Sequence, residues 1–177
     1  MKKRISRRTI VVVTLLFNLA GAVAPQSATA QLAVGVTPAA GLYSGAAGFE
    51  GHLHLDWQPD FLPAVLDGTA LAAMMGISTI SGSEIDTLGF MVAVGVLYEY
   101  SPGPVDLRPG LYAGVQYSTF DGVDAEDEIP FLLQPHIEAA YQFPFGLSAG
   151  LYLGYKALFY DEFEGSITLG PRVRYRF

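Results

Sequence analysis

Beyond residue 30 the chain alternates apolar and polar side chains with a period of two, the pattern of strands that present one face to an apolar medium. Residues 47–57, AGFEGHLHLDW, set Phe49, Leu53, Leu55 and Trp57 against Glu50, His52, His54 and Asp56. Residues 88–100 place Leu88, Phe90, Val92, Val94, Val96, Tyr98 and Tyr100 on one face and Glu99 on the other. Residues 107–119 oppose Leu111, Ala113, Val115 and Tyr117 to Arg108, Tyr112, Gln116 and Ser118. Residues 131–143 oppose Phe131, Leu133, Ile137, Tyr141 and Phe143 to Gln134, His136, Glu138 and Gln142. Residues 147–160 oppose Leu147, Leu151, Leu153, Tyr155 and Phe159 to Ser148, Tyr152, Lys156 and Tyr160. A last segment, from about residue 166, opposes Ile167, Leu169, Val173, Tyr175 and Phe177 to Arg172, Arg174 and Arg176.

Two more segments, near 31–38 and 69–80, bring the predicted strands to eight. Turn-forming residues separate them: SPGP at 101–104, DG at 121–122, PFG at 144–146 and DEFEG at 161–165. Eight strands with short connections and no need of a helix predict an all-β fold, an eight-stranded antiparallel up-and-down β-barrel. Pro135 and Pro171 fall inside strands, where a missing N–H predicts a bulge. The connection at 58–68 is long for a turn and predicts a strand end hidden within it.

The first thirty residues follow another pattern. Lys2, Lys3, Arg4, Arg7 and Arg8 precede an apolar run over 10–20, and Ala28-Thr29-Ala30 supplies a small-residue cleavage pattern. These features predict a signal peptide over 1–30 and a barrel domain over 31–177. The apolar run is short of the ~20 residues that a membrane helix needs. Adjacent Arg7 and Arg8 also suit a twin-arginine signal, so the general secretory route and the twin-arginine route both stay open. Removing this segment takes away five of the ten basic residues and leaves five Lys and Arg against seventeen Asp and Glu, a net charge of −12 over 147 residues. Such a chain is not drawn to nucleic acid, whose binding rests on phosphate neutralisation by Lys and Arg. With no cysteine it has neither a disulfide framework nor thiolate chemistry.

Alternation alone does not say which face meets water. A soluble lipocalin-like barrel would carry many charged residues outside, yet this mature chain holds one lysine, Lys156. Its polar face is rich in Gly, Ala, Ser and Tyr, which suits a narrow lumen filled by side chains. All five mature basic residues, Arg108, Lys156, Arg172, Arg174 and Arg176, share the lumen-facing parity with Glu50, Asp56, Glu99 and Glu138. The remaining thirteen acidic residues fall in connections. Ten of them, Glu84, Asp86, Asp121, Asp124, Glu126, Asp127, Glu128, Asp161, Glu162 and Glu164, fall in expected external loops. With the N-terminus in the periplasm, the even strands finish there on Trp57, Tyr98 and Tyr100, Tyr141 and Phe143, and Tyr175 and Phe177. Amphipathic rings at headgroup depth form the girdle of a transmembrane barrel. Tyr117, Phe131 and Phe159 mark the opposite boundary.

The signal peptide, the eight alternating segments and a final strand ending Val173-x-Tyr175-x-Phe177 resemble the small bacterial outer membrane β-barrels of the OmpA/OmpX-like type. The resemblance spans the whole mature chain. It implies the outer membrane of a Gram-negative-type bacterium, contact with outer membrane lipids and lipopolysaccharide, and a terminal aromatic read by the outer-membrane insertion machinery during assembly. It also implies a structural, surface-interaction or adhesion-like role.

Specific chemistry is thinner. His52 and His54 point the same way beside Glu50 and Asp56, with His136 and Glu138 on another strand, so a metal site is one reading. Histidines satisfying hydrogen bonds in a polar lumen are the expected one, and no metal or cofactor is called for. A lipid A deacylase-type enzyme needs His, Ser and a carboxylate at the lipid-facing boundary; these histidines point inward, and the chain is expected not to be an enzyme. Arg172, Arg174, Arg176, Tyr112, Tyr152 and Tyr160 crowd an eight-stranded lumen, leaving a narrow pore or a small hydrophobic-solute channel as the alternative function. The acidic run over 121–128 is expected to be a solvated loop, with divalent-cation binding, bridging to lipopolysaccharide phosphates, as the sharper reading.

Overall fold

A computed structural model describes residues 31–43, 46–59, 67–81, 86–121, 129–160 and 163–177. The expected signal peptide over 1–30 and most of the acidic loop residues lie outside the described residues. Eight strands form: β1 (Gln31–Tyr43), β2 (Ala46–Gln58), β3 (Thr69–Ser81), β4 (Asp86–Tyr98), β5 (Val105–Asp121), β6 (Phe131–Gln142), β7 (Leu147–Phe159) and β8 (Phe163–Arg176). Each pairs antiparallel with the next, and β8 pairs with β1, closing the sheet into a barrel. Closure leaves no edge strand to seek another partner. The strands run from 12 to 17 residues, longer than the roughly 9–11 tilted residues that cross a bilayer.

The outward face is apolar and the inward face polar, the reverse of a soluble barrel. Val94 is 66% exposed and Leu151 61%, while Arg108 is 1% exposed and Glu50 and Lys156 are 0% exposed. The fold is therefore a transmembrane β-barrel whose outer solvent is hydrocarbon, where every backbone polar group must be satisfied within the sheet. The start of β1 and the end of β8 lie at one end of the barrel, called the terminal end below, where Phe177 donates its N–H to the Leu32 carbonyl.

Several boundaries differ from those read in the sequence. β1 runs to Tyr43 instead of stopping near 38. β4 stops at Tyr98, and Tyr100 is held by one bridge to Leu107. β5 begins at Val105, which draws Asp106 out of the connection and into the wall. β2 ends at Gln58, one residue into the connection, and β3 starts at Thr69, while residues 60–66 lie outside the described residues. The tight turn into β7 puts Phe145 at φ 66° and Gly146 at φ 79°. A Cβ on Gly146 would lie 2.3 Å from the Arg176 carbonyl oxygen, so glycine is required there.

The expected bulges at Pro135 and Pro171 are absent. On β1–β8 the offset is the same at Val36↔Val173 as at Ala40↔Leu169, so no residue is inserted. That offset sets Pro38 directly opposite Pro171, and the ladder lapses only around this rung. Two prolines opposed on one rung remove both of its N–H donors together and leave the other face of each strand fully paired. Gly170 permits the approach: a Cβ there would meet the Pro38 carbonyl oxygen at 2.1 Å. The register across β6–β7 is likewise unbroken around Pro135, whose nitrogen faces Tyr155. Pro109 does the same to the rung it shares with Tyr98 on β4–β5.

Candidate functional site: the charged lumen

Period-two geometry sends Glu50, His52, His54 and Asp56 of β2 into the barrel, where all four are buried. Arg108 of β5, His136 and Glu138 of β6, Lys156 of β7, and Arg172 and Arg174 of β8 join them from the other walls. Arg176 and Glu99 lie at the terminal end, with side chains 27% and 12% exposed. All twelve lumen residues singled out by parity point inward, and closure arranges them in three tiers.

Toward the end opposite the termini, Glu50 is the hub. It accepts hydrogen bonds from Lys156 and from the Tyr43 hydroxyl, and from Thr168 Oγ1 at 3.1 Å. His52 Nε2 lies 3.0 Å from Oε2, the oxygen that Thr168 also contacts, while Lys156 and Tyr43 share Oε1. Lys156 also donates to Tyr43 at 2.9 Å and sits 5.2 Å from that ring's centroid.

The middle tier is aromatic. His136 stacks on Tyr112 at 4.8 Å and on Tyr152 at 5.2 Å. His54 Nδ1 lies 3.0 Å from the Tyr112 hydroxyl, and Gln134 donates to the Tyr152 hydroxyl at 2.9 Å. His52 thus meets Glu50 and His54 the Tyr112 hydroxyl, whereas His136 stacks on the two tyrosine rings. Among the described residues no group of three His, Asp or Glu side chains is arranged to hold a metal ion.

The tier nearest the termini is a lattice of arginine and carboxylate. Arg108 reaches Asp56 at 2.9 Å, Glu138 at 3.1 Å and Glu99 at 3.4 Å. Arg172 reaches Glu138 at 2.6 Å and Asp56 at 3.2 Å. Arg174 spans Glu99 at 3.1 Å and Asp106 at 2.9 Å, and Arg176 closes on Glu99 at 2.5 Å. Glu99 lies in the connection after β4. Burial pushes its carboxyl up, but the Arg176 hydrogen bond and the charges of Arg174, Arg176 and Arg108 outweigh that and hold it below the usual carboxylate range.

Asp106 corrects the sequence reading, which left it in a connection. It is 0% exposed, pairs with Arg174, and accepts from Ser101 at 2.6 Å and from Gln142. Its even parity with Arg108 and Tyr112 was the available signal, hidden because β5 begins two residues earlier than the SPGP turn suggested. With Asp106 included, five carboxylates (Glu50, Asp56, Glu99, Asp106, Glu138) face five cations (Arg108, Lys156, Arg172, Arg174, Arg176). The lumen is formally neutral, as buried charges require. Tyr43 and Thr168 are further polar members that the sequence did not single out, joined by Gln134 and Ser148 from the polar faces of β6 and β7.

The opposite wall carries no charge. Ala70, Ala72 and Met74 of β3, and Met91, Ala93 and Leu97 of β4, pack with Tyr112, Leu132 and Leu158. Among the described residues, side chains enter the lumen from both sides. At the terminal end, the void bordered by Asp56, Glu99, Arg108, Arg174 and Arg176 measures about 10 Å³, barely the volume of a water site.

Outside, the aromatic residues form two belts. Trp57, Tyr98, Tyr100, Tyr141, Phe143, Tyr175 and Phe177 are all exposed toward the terminal end. Tyr141 meets Phe143 edge-on at 5.1 Å, and Tyr175 meets Phe177 at 5.0 Å. At the far end Phe159 lies 5.9 Å from Phe131 and 5.6 Å from Phe163, and Tyr117 is exposed nearby. Of the acidic loop residues, Glu164 is exposed at the start of β8.

No family model matches the sequence, and no curated protein does. Solved structures match its fold. Neisserial surface protein A (NspA) superposes with a TM-score of 0.59 at 14% identity, covering 85% of this chain and 98% of that one. A major outer membrane protein from Thermus thermophilus gives 0.57 at 19% identity, covering 85% and 100%. The outer membrane enzyme PagL gives 0.54 at 16% identity, covering 80% and 98%. At these identities the likeness concerns the backbone, and the chain has the fold of the small eight-stranded outer membrane β-barrels.

Proposed function

We propose that the protein is an outer membrane barrel that acts through its surface, in a structural, surface-interaction or adhesion-like role, and does not pass solutes. The observation that carries this reading is the lumen: five carboxylates and five cations interlocked in two tiers with an aromatic tier between them, and an apolar wall filling the rest. Opening a solute path would mean separating buried ion pairs, each about 3–5 kcal/mol to break by loss of one partner. Its likeness to a protein named for the neisserial surface agrees with a surface role.

In this reading the terminal end faces the periplasm and the acidic connections face outward, where divalent cations would bridge them to lipopolysaccharide phosphates. Phe177, 73% exposed, would serve the insertion machinery during assembly. The likeness to PagL does not make the chain an enzyme, because its three histidines engage Glu50 and Tyr112 inside the wall, away from lipid.

The test is fractionation joined to solute uptake. The folded protein should co-fractionate with outer membranes and migrate differently on a denaturing gel before and after heating. Proteoliposomes carrying it should swell no faster in small sugars than empty vesicles. Recovery in the soluble fraction, or rapid swelling, would overturn the reading.

A further inference from the structure

The outward wall between β4 and β5 carries a notch of about 370 Å³ near the terminal end, within the roughly 300–1,000 Å³ of small-molecule sites. Its sides are Val96, Tyr98 and Leu111, with Thr69 of β3 beside them. Its centre is the rung where Tyr98 faces Pro109. Pro109 has no N–H to give, so the β4–β5 pairing lapses between Leu97↔Gly110 and the isolated Tyr100↔Leu107 bridge. The Tyr98 carbonyl consequently lacks its ladder donor, and at girdle depth it is left to find one in the headgroup region. The notch is thus apolar along its length, with a backbone acceptor and the Tyr98 ring at its headgroup edge.

We infer that this notch is a seat for one acyl chain of a periplasmic-leaflet glycerophospholipid, with the lipid's headgroup or glycerol region beside Tyr98. The inference rests on the outer membrane reading above. The occupant follows from position: Val96, Tyr98 and Leu111 are 49%, 50% and 41% exposed on the lipid-facing band, so the notch is continuous with the bilayer. An extended chain suits it better than a compact solute because its walls follow strands β4 and β5. Ordinary annular lipid touches the whole band, whereas a seat holds one chain longer than its neighbours.

The experiment uses the folded protein in phosphatidylethanolamine/phosphatidylglycerol vesicles doped with a phospholipid carrying a diazirine on its acyl chain. After irradiation, labelled residues are mapped by mass spectrometry. Adducts should concentrate at Val96, Tyr98 and Leu111, several-fold above the outward residues Leu151, Leu153 and Val173 of β7 and β8. Thr69→Trp, which fills the notch from the side, should bring that excess down to the level of the rest of the band. Thr79→Trp, outward on the same strand but at its far end, should leave the excess intact. Pro109→Val, which restores the missing N–H, gives a second, independent way to lower it. Even labelling around the barrel, or cross-links to a second copy of the chain in place of lipid adducts, overturns the seat and leaves the outer membrane reading standing. Failure of the heated and unheated protein to migrate differently would instead sink that reading, and the seat with it.

Discussion

Lys156 and Glu50 offer the sharpest test of the lumen's energetics, because each is 0% exposed and their partners are unequal. Replacing Lys156 with Met keeps the volume and leaves Glu50 with Tyr43, Thr168 and His52. Replacing Glu50 with Met leaves the ammonium of Lys156 with one remaining acceptor, the Tyr43 hydroxyl, and strips Thr168 and His52 of theirs. Breaking a buried pair costs about 3–5 kcal/mol, so Lys156→Met belongs near ~3 and Glu50→Met near ~5. The double variant replaces a charge pair with two apolar side chains. With Thr168 and His52 still stripped of their acceptor, at about 1–3 kcal/mol per unmet group, it should lose about 5 kcal/mol rather than the ~8 of simple addition, a coupling of about 3 kcal/mol. Reversible urea unfolding of the barrel in lipid vesicles measures all three variants. Trp57, the protein's one tryptophan, reports the transition from the girdle. Losses that add to within about 0.5 kcal/mol, or a Lys156→Met variant less stable than Glu50→Met, would refute a lumen held by interlocked charges.

Other perturbations probe the wall and the termini. Val92→Arg, at the middle of β4 and 58% exposed, should cost about 2–4 kcal/mol, while Tyr175→Arg at the girdle should cost about 0–1; equal costs would contradict the outward band as a membrane span. Pro38→Val and Pro171→Val should each add a donor to the shared rung and raise stability by about 0.5–1.5 kcal/mol in the same urea assay. A loss in both would mean the rung is not the vacant one. Glu99, with its folded pKa held below the ordinary 4.5, binds protons less readily than in the unfolded chain. Its contribution is therefore complete above that value and disappears as pH falls through the lower folded value. Unfolding titrated down from neutral pH should show a shallower acid loss for Glu99→Gln than for the wild type, and identical slopes would remove Glu99 from the network.

Much of this architecture is legible along the chain. Parity alone turned Glu50, His52, His54 and Asp56 inward together, and it did the same for the alternate arginines of β8, because side-chain direction in a strand is a local property. Asp106 escaped because a turn boundary placed two residues late removes it from its strand. Partnership across the barrel is not local at all. Arg172 and Asp56 are 116 residues apart, and their meeting depends on how the sheet closes. The prolines teach the same lesson. Pro171 alone predicts a bulge, but closure brings Pro38 opposite it, and two donors missing from one rung need no extra residue. The division of the lumen into a charged arc and an apolar arc from β3 and β4 likewise emerges only when eight inward faces share one interior.

The central claim is that the charge-balanced lumen is sealed. Single-channel recording in a planar bilayer tests it most directly, using refolded protein at neutral pH and physiological salt. The interlocked tiers predict a silent membrane for the wild type, and discrete openings only when the lattice is cut, as in Arg108→Ala combined with Arg172→Ala. Steady, discrete conductance from the wild-type protein would contradict the account.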